Sequence, residues 1–247
     1  MKKILRIRRQ KSRESEPYWE EFPYETEDSS ATVATALMTL PVTWEHSCLQ
    51  KRCGACAMVI NGTPRLACDT PLSGLKGDKV VIEPLRKFPV IEDLYVDREA
   101  MMAKLKELEI WFQEDALPDG EETVFAASQC LQCGLCLEVC PNYRVDGNFG
   151  GMAAMNPLLT MLPKITKDQK KDFRKKYRKG VYSGCGKSLA CREICPAGID
   201  LEKLLVKGSA AALFNHFSIV ENDWPCLPTV DGTDASRERL WFQGGSH

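Results

Sequence analysis

The sequence predicts an α+β protein, with a strand-forming first part and an all-α second part. Three observations carry that prediction. Short β-rich runs end at Ile82. Apolar spacing turns helical after Pro89. Eleven of the twelve cysteines fall in three runs spread over both parts.

In chain order, Ile4-Leu5-Arg6-Ile7 opens as a strand. Ala57-Met58-Val59-Ile60 is another, stopped by the turn pair Asn61-Gly62, and Lys79 to Ile82 is β-rich. Between the first two lies a loop with Cys48, Cys53 and Cys56, where Gly54 lets the backbone approach a bound group closely. After Pro89, the residues Met101, Leu105, Leu108, Trp111 and Phe112 fall at helical spacing, with Asp97 as the expected N-cap. A domain boundary is expected near residue 96, giving domains 1–96 and 97–247. The polar stretch Asp115 to Glu122 leads into the second cysteine run. Later cysteines are expected at helix ends and in loops.

Cys48, Cys53, Cys56 and Cys68 are spaced C-x4-C-x2-C-x11-C, the pattern of plant-type [2Fe–2S] ferredoxins. A tight loop presents three thiolates, and a strand is expected to supply Cys68. A zinc ribbon would use two C-x2-C knuckles, whereas here Cys53 and Cys56 form one. A Rieske centre needs two histidines, and only His46 lies nearby.

Cys130, Cys133, Cys136 and Cys140, followed by Pro141, form the bacterial ferredoxin run, whose fourth cysteine serves the other cluster. The return run is Cys185, Cys191 and Cys195, followed by Pro196. On the same template its missing cysteine falls at Ser188. Cys195 therefore completes a [4Fe–4S] site with Cys130, Cys133 and Cys136. Cys140, Cys185 and Cys191 are left one thiolate short, which suits a [3Fe–4S] cluster with Ser188 at the vacant corner. The alternative is a [4Fe–4S] cluster with Ser188 or water on the fourth iron.

The 247 residues suffice for one or two cored domains, and a net charge of −1 gives no field that favours nucleic acid. No uncharged apolar run reaches the roughly 18 residues that span a bilayer. The longest uncharged stretch, Asn148 to Pro163, is broken by Gly and Pro. The opening MKKILRIRRQ lacks the apolar region of a secretory signal, so a cytoplasmic chain is expected. In that compartment clustered cysteines read as metal ligands rather than disulfides.

With these residues in hand, the chain resembles the iron–sulfur subunit of succinate dehydrogenase and fumarate reductase. The likeness covers about residues 40 to 205. It rests on SCLQKRCGACAMVING, PRLACDTPL, VVIEPLRKFPVIEDLYVD, CLQCGLCLEVCPNY and CREICPAGID. It implies an N-terminal β-grasp ferredoxin domain followed by a helical bacterial-ferredoxin-like domain. It also implies a flavoprotein partner with covalent FAD and the dicarboxylate site, and a membrane anchor that binds quinone, with or without haem. The chain would then relay electrons from the cytoplasmic side of the membrane as a peripheral subunit. Cys48, Cys53, Cys56 and Cys68 would face the flavin, and Cys140, Cys185 and Cys191 the quinone.

This chain departs from the family in three places. Succinate-oxidising members commonly place a His after the cysteine matching Cys185, where Gly186 stands, and a Trp soon after the one matching Cys140, where Asn142-Tyr143-Arg144 stands. Trp44-Glu45-His46 stands where an arginine is frequent. The missing His leans toward fumarate reduction.

Other motifs dissolve on inspection. Gly184 to Ser188 ends like a P-loop, but Val181 stands where the first Gly is required, and Gly147 to Gly151 makes no dinucleotide fingerprint. With three histidines and no nucleophile–base pair, the chain is expected to catalyse no bond chemistry alone. Lys167 to Lys179 carries eight basic and two acidic residues. It reads as a solvated helix face, or as a contact for anionic lipid or a partner. Cys226, in Trp224-Pro225-Cys226-Leu227-Pro228, reads as a passive thiol. Two further readings stand beside the family's. One is the same relay serving another flavoenzyme or a non-quinone acceptor, and the other is a free-standing polyferredoxin carrier. The linker VVIEPLRKFPVIEDL has no purpose in a carrier.

Overall fold

Leu5 and Ile7 alternate with polar residues in β1 (Lys2–Arg9), and this period of two buries one face of the first strand. The computed structural model describes residues 1–108, 122–161 and 167–213. β1 pairs antiparallel with β2 (Tyr18–Glu25) and parallel with β5 (Lys79–Glu83). β3 (Ala57–Ile60) pairs antiparallel with β4 (Thr63–Leu66) and with β5, giving the order β2-β1-β5-β3-β4. All four β3 residues are buried, as a strand covered on both faces requires. Pro23 sits in β2, an edge strand, where a missing N–H costs no ladder bond.

The short helix α1 (Val33–Leu37) buries Val33, Ala34, Ala36 and Leu37 in the same core as the sheet, the β-grasp arrangement. Thr32 and Thr35 form a capping box at its start, worth about 1 kcal/mol. A two-stranded ribbon, β6 (Val90–Glu92) with β7 (Tyr95–Val96), then turns the chain toward the helices.

Among the described residues the second part has no strands after β7. It holds α2 (Glu99–Glu107), α3 (Glu122–Ser128), α4 (Leu135–Glu138), α5 (Gly151–Met161), α6 (Lys167–Tyr177) and α7 (Leu201–Leu213). A π-helical turn, Arg178–Tyr182, follows α6. Asp97 does not hold the N-cap position of α2. Arg98 does, while the Asp97 carboxylate one residue earlier accepts the Glu99 N–H at 2.8 Å. Met101 and Leu108 are buried, and Trp111, Phe112 and Cys226 lie outside the described residues. α6 buries Phe173 and leaves Lys171 and Lys175 exposed. No helix among the described residues is long and apolar enough to cross a membrane.

The two parts share one core. Leu135, Leu137, Tyr143 and Ala153 join the cluster that contains Leu5, Ile60 and Ile82. One polar knot helps close it. Asp93, 2 % exposed, takes the Arg9 guanidinium through both carboxylate oxygens at 2.9 Å and accepts the amides of Gln10 and Thr43 at 3.2 and 3.0 Å. It thereby joins the end of β1, the approach to the first cysteine loop and the β6–β7 turn. Asp93→Ala leaves the Arg9 guanidinium with Glu20 alone, at 2.7 Å, and strips the Gln10 and Thr43 amides of this acceptor, so it is expected to cost about 2 kcal/mol. The check is a lower urea midpoint at unchanged slope.

Candidate metal centres

The first cysteine set sits in the loop between α1 and β3 and just beyond β4. Leu49 and Lys51 take left-handed backbone angles, with φ of 53° and 59°. That winding turns amides inward: Gln50 and Arg52 donate to Cys48 Sγ, and Lys51 to Cys68 Sγ, each at 3.3 Å. Cys56 Sγ lies 3.4 Å from Cys68 Sγ. Cys68 stands on the 3-10 turn Ala67–Asp69, one step past the expected strand, where Ala67 N donates to Cys56 O and folds the turn onto the loop.

These surroundings split the thiols. Amide donors draw Cys48 down to about 7, while burial pushes Cys56 up to about 12. Inward N–H groups are what a negatively charged iron–sulfur cluster needs around its sulfurs, so the donor set fits such a group.

The second set surrounds α4. Cys130 follows α3, Cys133 precedes α4, and Cys136 lies within it. Gln132 and Gly134 adopt φ of 51° and 82°, which curls the backbone around the thiols. The Gln132 amide donates to Cys130 Sγ at 3.3 Å and to Ala153 O at 3.1 Å, tying the loop to α5. Cys133 lies near Cys130 and Cys195, and Cys136 lies near Cys130, Cys133, Cys191 and Cys195. Burial pushes Cys133 up to about 11 and Cys136 well above the usual thiol range.

Cys140, Cys185 and Cys191 share a small cavity with Cys136 and Ser188. Lys187 and Leu189, both left-handed, bracket Ser188. Asn142 donates to Gly184 O at 2.8 Å and so fastens the Cys140 turn to the Cys185 loop. A Cβ on Gly186 would stand 2.8 Å from Asn142 Nδ2, so a larger side chain there requires Asn142 to move.

The three sets adjoin in series. A Cβ on Gly54 would lie 2.6 Å from Cys133 Cβ and 3.1 Å from Leu131 O, so the first loop rests directly on the second. Cys136 walls both the second and third sets. The eleven described cysteines are all free. Among the described residues no three His, Cys, Asp or Glu side chains converge as one metal ion requires. Thiolates around a polynuclear cluster stand farther apart. A larger cleft of about 480 Å³ between α2, α5 and α6 carries no cysteine, and its Lys104 and Lys176 pair with Glu107 and Asp172.

Sequence reasoning missed several supports. Glu138 accepts the Arg86 and Lys87 amides at 3.1 Å each, and Lys87 Nζ donates to Cys140 O. Tyr143 packs on Phe88 at 6.0 Å between centroids, and its thiol-facing phenol is pushed up to about 12 by burial and by Cys136. Single polar residues in a linker carry no periodicity that would mark them.

Comparison with known proteins agrees in both parts. A 2Fe-2S iron-sulfur cluster binding domain matches residues 3–103, and a 4Fe-4S dicluster domain matches residues 126–199. The chain is 34% identical over 222 residues to the succinate dehydrogenase iron-sulfur subunit of Bacillus subtilis, covering 79% of this chain and 86% of that one. It is 35% identical over 179 residues to the fumarate reductase iron-sulfur subunit of Mycobacterium tuberculosis, covering 66% and 70%. Its fold is similar to a chain of the Mycobacterium smegmatis Sdh1 complex in the apo form. The TM-score is 0.70 at 24% identity, over 92% of this chain and 99% of that one.

Two outcomes are expected. In cluster-free protein at pH 7, Cys48 is near half thiolate and Cys133 is almost wholly protonated. Iodoacetamide should therefore label Cys48 before Cys133, and equal labelling rates of these two by peptide mass spectrometry would contradict this. Gly54→Ala forces a Cβ against Cys133 at a φ of +73°. It should weaken the contact between the two loops and lower iron retention on gel filtration, while Gly62→Ala, with open space around its Cβ, should not.

Proposed function

We propose a mechanism from one premise: this chain belongs to the iron–sulfur subunits of the succinate dehydrogenase/fumarate reductase family, and it is the electron-transfer subunit of such a complex. The observation that supports the mechanism is the series of adjoining cysteine sets, Gly54 on Cys133 and Cys136 between the second and third. In this reading the domain of residues 1–96 carries Cys48, Cys53, Cys56 and Cys68 as ligands of a [2Fe–2S] cluster. The domain of residues 97–247 carries Cys130, Cys133, Cys136 and Cys195 for a [4Fe–4S] cluster, and Cys140, Cys185 and Cys191 for a [3Fe–4S] cluster. When bound, the clusters accept and release one electron at a time.

The protein's residues do the rest. The amides of Gln50, Lys51 and Arg52 offset negative charge at the exposed first loop, where an FAD-containing partner docks. Leu135, Leu137 and Phe88 keep water from the second set. Asn142 holds the third set's two loops together at the end that faces a quinone-binding membrane anchor. The subunit is peripheral, on the cytoplasmic side, and the basic run Lys167–Lys179 suits an anionic surface near it. A second reading keeps the relay and changes its acceptor. It is supported by Gly186, which stands where the resemblance leads to a histidine and where a Cβ would be 2.8 Å from Asn142 Nδ2.

The test is on the purified complex. About nine irons per chain, with little zinc, are expected, together with an oxidised-state [3Fe–4S] EPR signal. Ser188→Cys supplies a soft thiolate at the corner, so a [4Fe–4S] cluster should replace the [3Fe–4S] cluster and the midpoint should fall. Absence of the wild-type signal rejects the ligand assignment. A variant with signal and midpoint unchanged removes Ser188 from that corner. A complex with no membrane subunit supports the second reading.

A further inference from the structure

We propose that Arg98 sets the potential of the cluster held by Cys130, Cys133, Cys136 and Cys195, with its Nε–H donating to a sulfur of that cluster. The inference rests on the ligand assignment above and adds a residue that binds no iron.

Arg98 stands at the start of α2 with its side chain only 13% exposed. Two of its three nitrogens have partners. Nη1 pairs with Glu45, and Nη2 donates to Ala55 O at 3.1 Å. Nε is buried and has no hydrogen-bond partner among the described residues. A buried cationic donor left unpaired costs more than a neutral one, so its site needs an acceptor.

The surroundings say where that acceptor is. Ala55 lies between Cys53 and Cys56, next to Gly54, and the place of a Gly54 Cβ is 2.6 Å from Cys133 Cβ. The guanidinium therefore sits where the first and second cysteine loops meet. That contact puts its positive charge beside the loop that carries Cys133. Cluster sulfurs carry negative charge that grows on reduction. A fixed cation with a hydrogen bond to sulfur favours the reduced state and raises the potential.

The planar fork explains why the residue is arginine. It offers donors in three directions from one rigid plane, to Glu45, to Ala55 and toward the cluster, which a single ammonium cannot copy. Glu45 moderates the effect. Its carboxylate, 40% exposed, partly cancels the charge from the solvent side.

The experiment is a potentiometric titration of the intact complex, followed by EPR, on wild type, Arg98→Gln, Arg98→Lys and Glu45→Gln. Arg98→Gln should shift the [4Fe–4S] midpoint downward and leave the [3Fe–4S] midpoint in place. Arg98→Lys should recover part of the shift by keeping the charge. Glu45→Gln should move the same midpoint upward. Opposite signs from the two partners of one ion pair are not produced by loosened packing, which breaking the pair from either side would cause alike. Midpoints unmoved in Arg98→Gln and Glu45→Gln, with clusters intact, overturn the inference. If Arg98→Gln loses its cluster, Glu45→Gln decides: an upward shift supports the inference and no shift overturns it. A wild-type complex without a [4Fe–4S] signal overturns the ligand assignment and this inference with it.

Discussion

Crowded thiols are the constraint to which the rest of this molecule answers. Like charges do not share a small dry volume unless protons or cations stand between them. Seven cysteines gather in loops that have almost no regular structure, and burial there drives Cys133, Cys136 and Cys191 toward the protonated form. Iron bound by the proposed ligands would displace those protons, so metal binding and folding of the loops would be one process. The first set is different. Its amide donors already favour a thiolate at Cys48, in a loop that the sheet supports from below.

The helical part leans on the sheet rather than standing alone. Leu135 and Leu137 bury into the core of the strands, and Glu138 fastens the one-turn helix α4 to the Arg86 and Lys87 amides. The linker between Glu83 and Arg98 is thus a structural part of the second set. Phe88 lies under Gly134, where a Cβ would meet its ring at 3.1 Å. Any change in that linker is felt at cysteines about fifty residues later in the chain, a separation that Lys87 and Cys140 already bridge.

How legible this was depended on whether a signal is local. β1, β3 and β5 stood out because β-branched residues end at clear turns, and cysteine runs stood out because ligand spacing reflects the shape of one loop. β2 was hidden, since Glu20, Glu21, Pro23 and Glu25 dilute an edge strand whose partner lies on the other side of a hairpin. α1 was hidden because five residues are less than two turns and carry no full period. The seat of Cys68 was misjudged by one step, because the return from a strand to a 3-10 turn depends on Cys56 O accepting a bond across the loop. Arg98 and Asp93 were silent, and Asn142 showed only as a departure from the family. Each acts through partners from forty-two to eighty-four positions away, and pattern reading along the chain does not see across space.

The parallel pairing of β1 with β5 has a consequence for how the molecule comes into being. Ile4 stands opposite Lys79, so the first strand has no inner neighbour until some seventy more residues have left the ribosome. Until then the first cysteine loop has no sheet behind it, and the wall that Phe88 and the strand core lend to Cys133 and Cys136 does not exist. If the proposed iron sites are filled on this scaffold, those of the later half wait on the earlier half to be shaped. A nascent chain stalled before residue 79 would expose its first thiols with nothing to protect them.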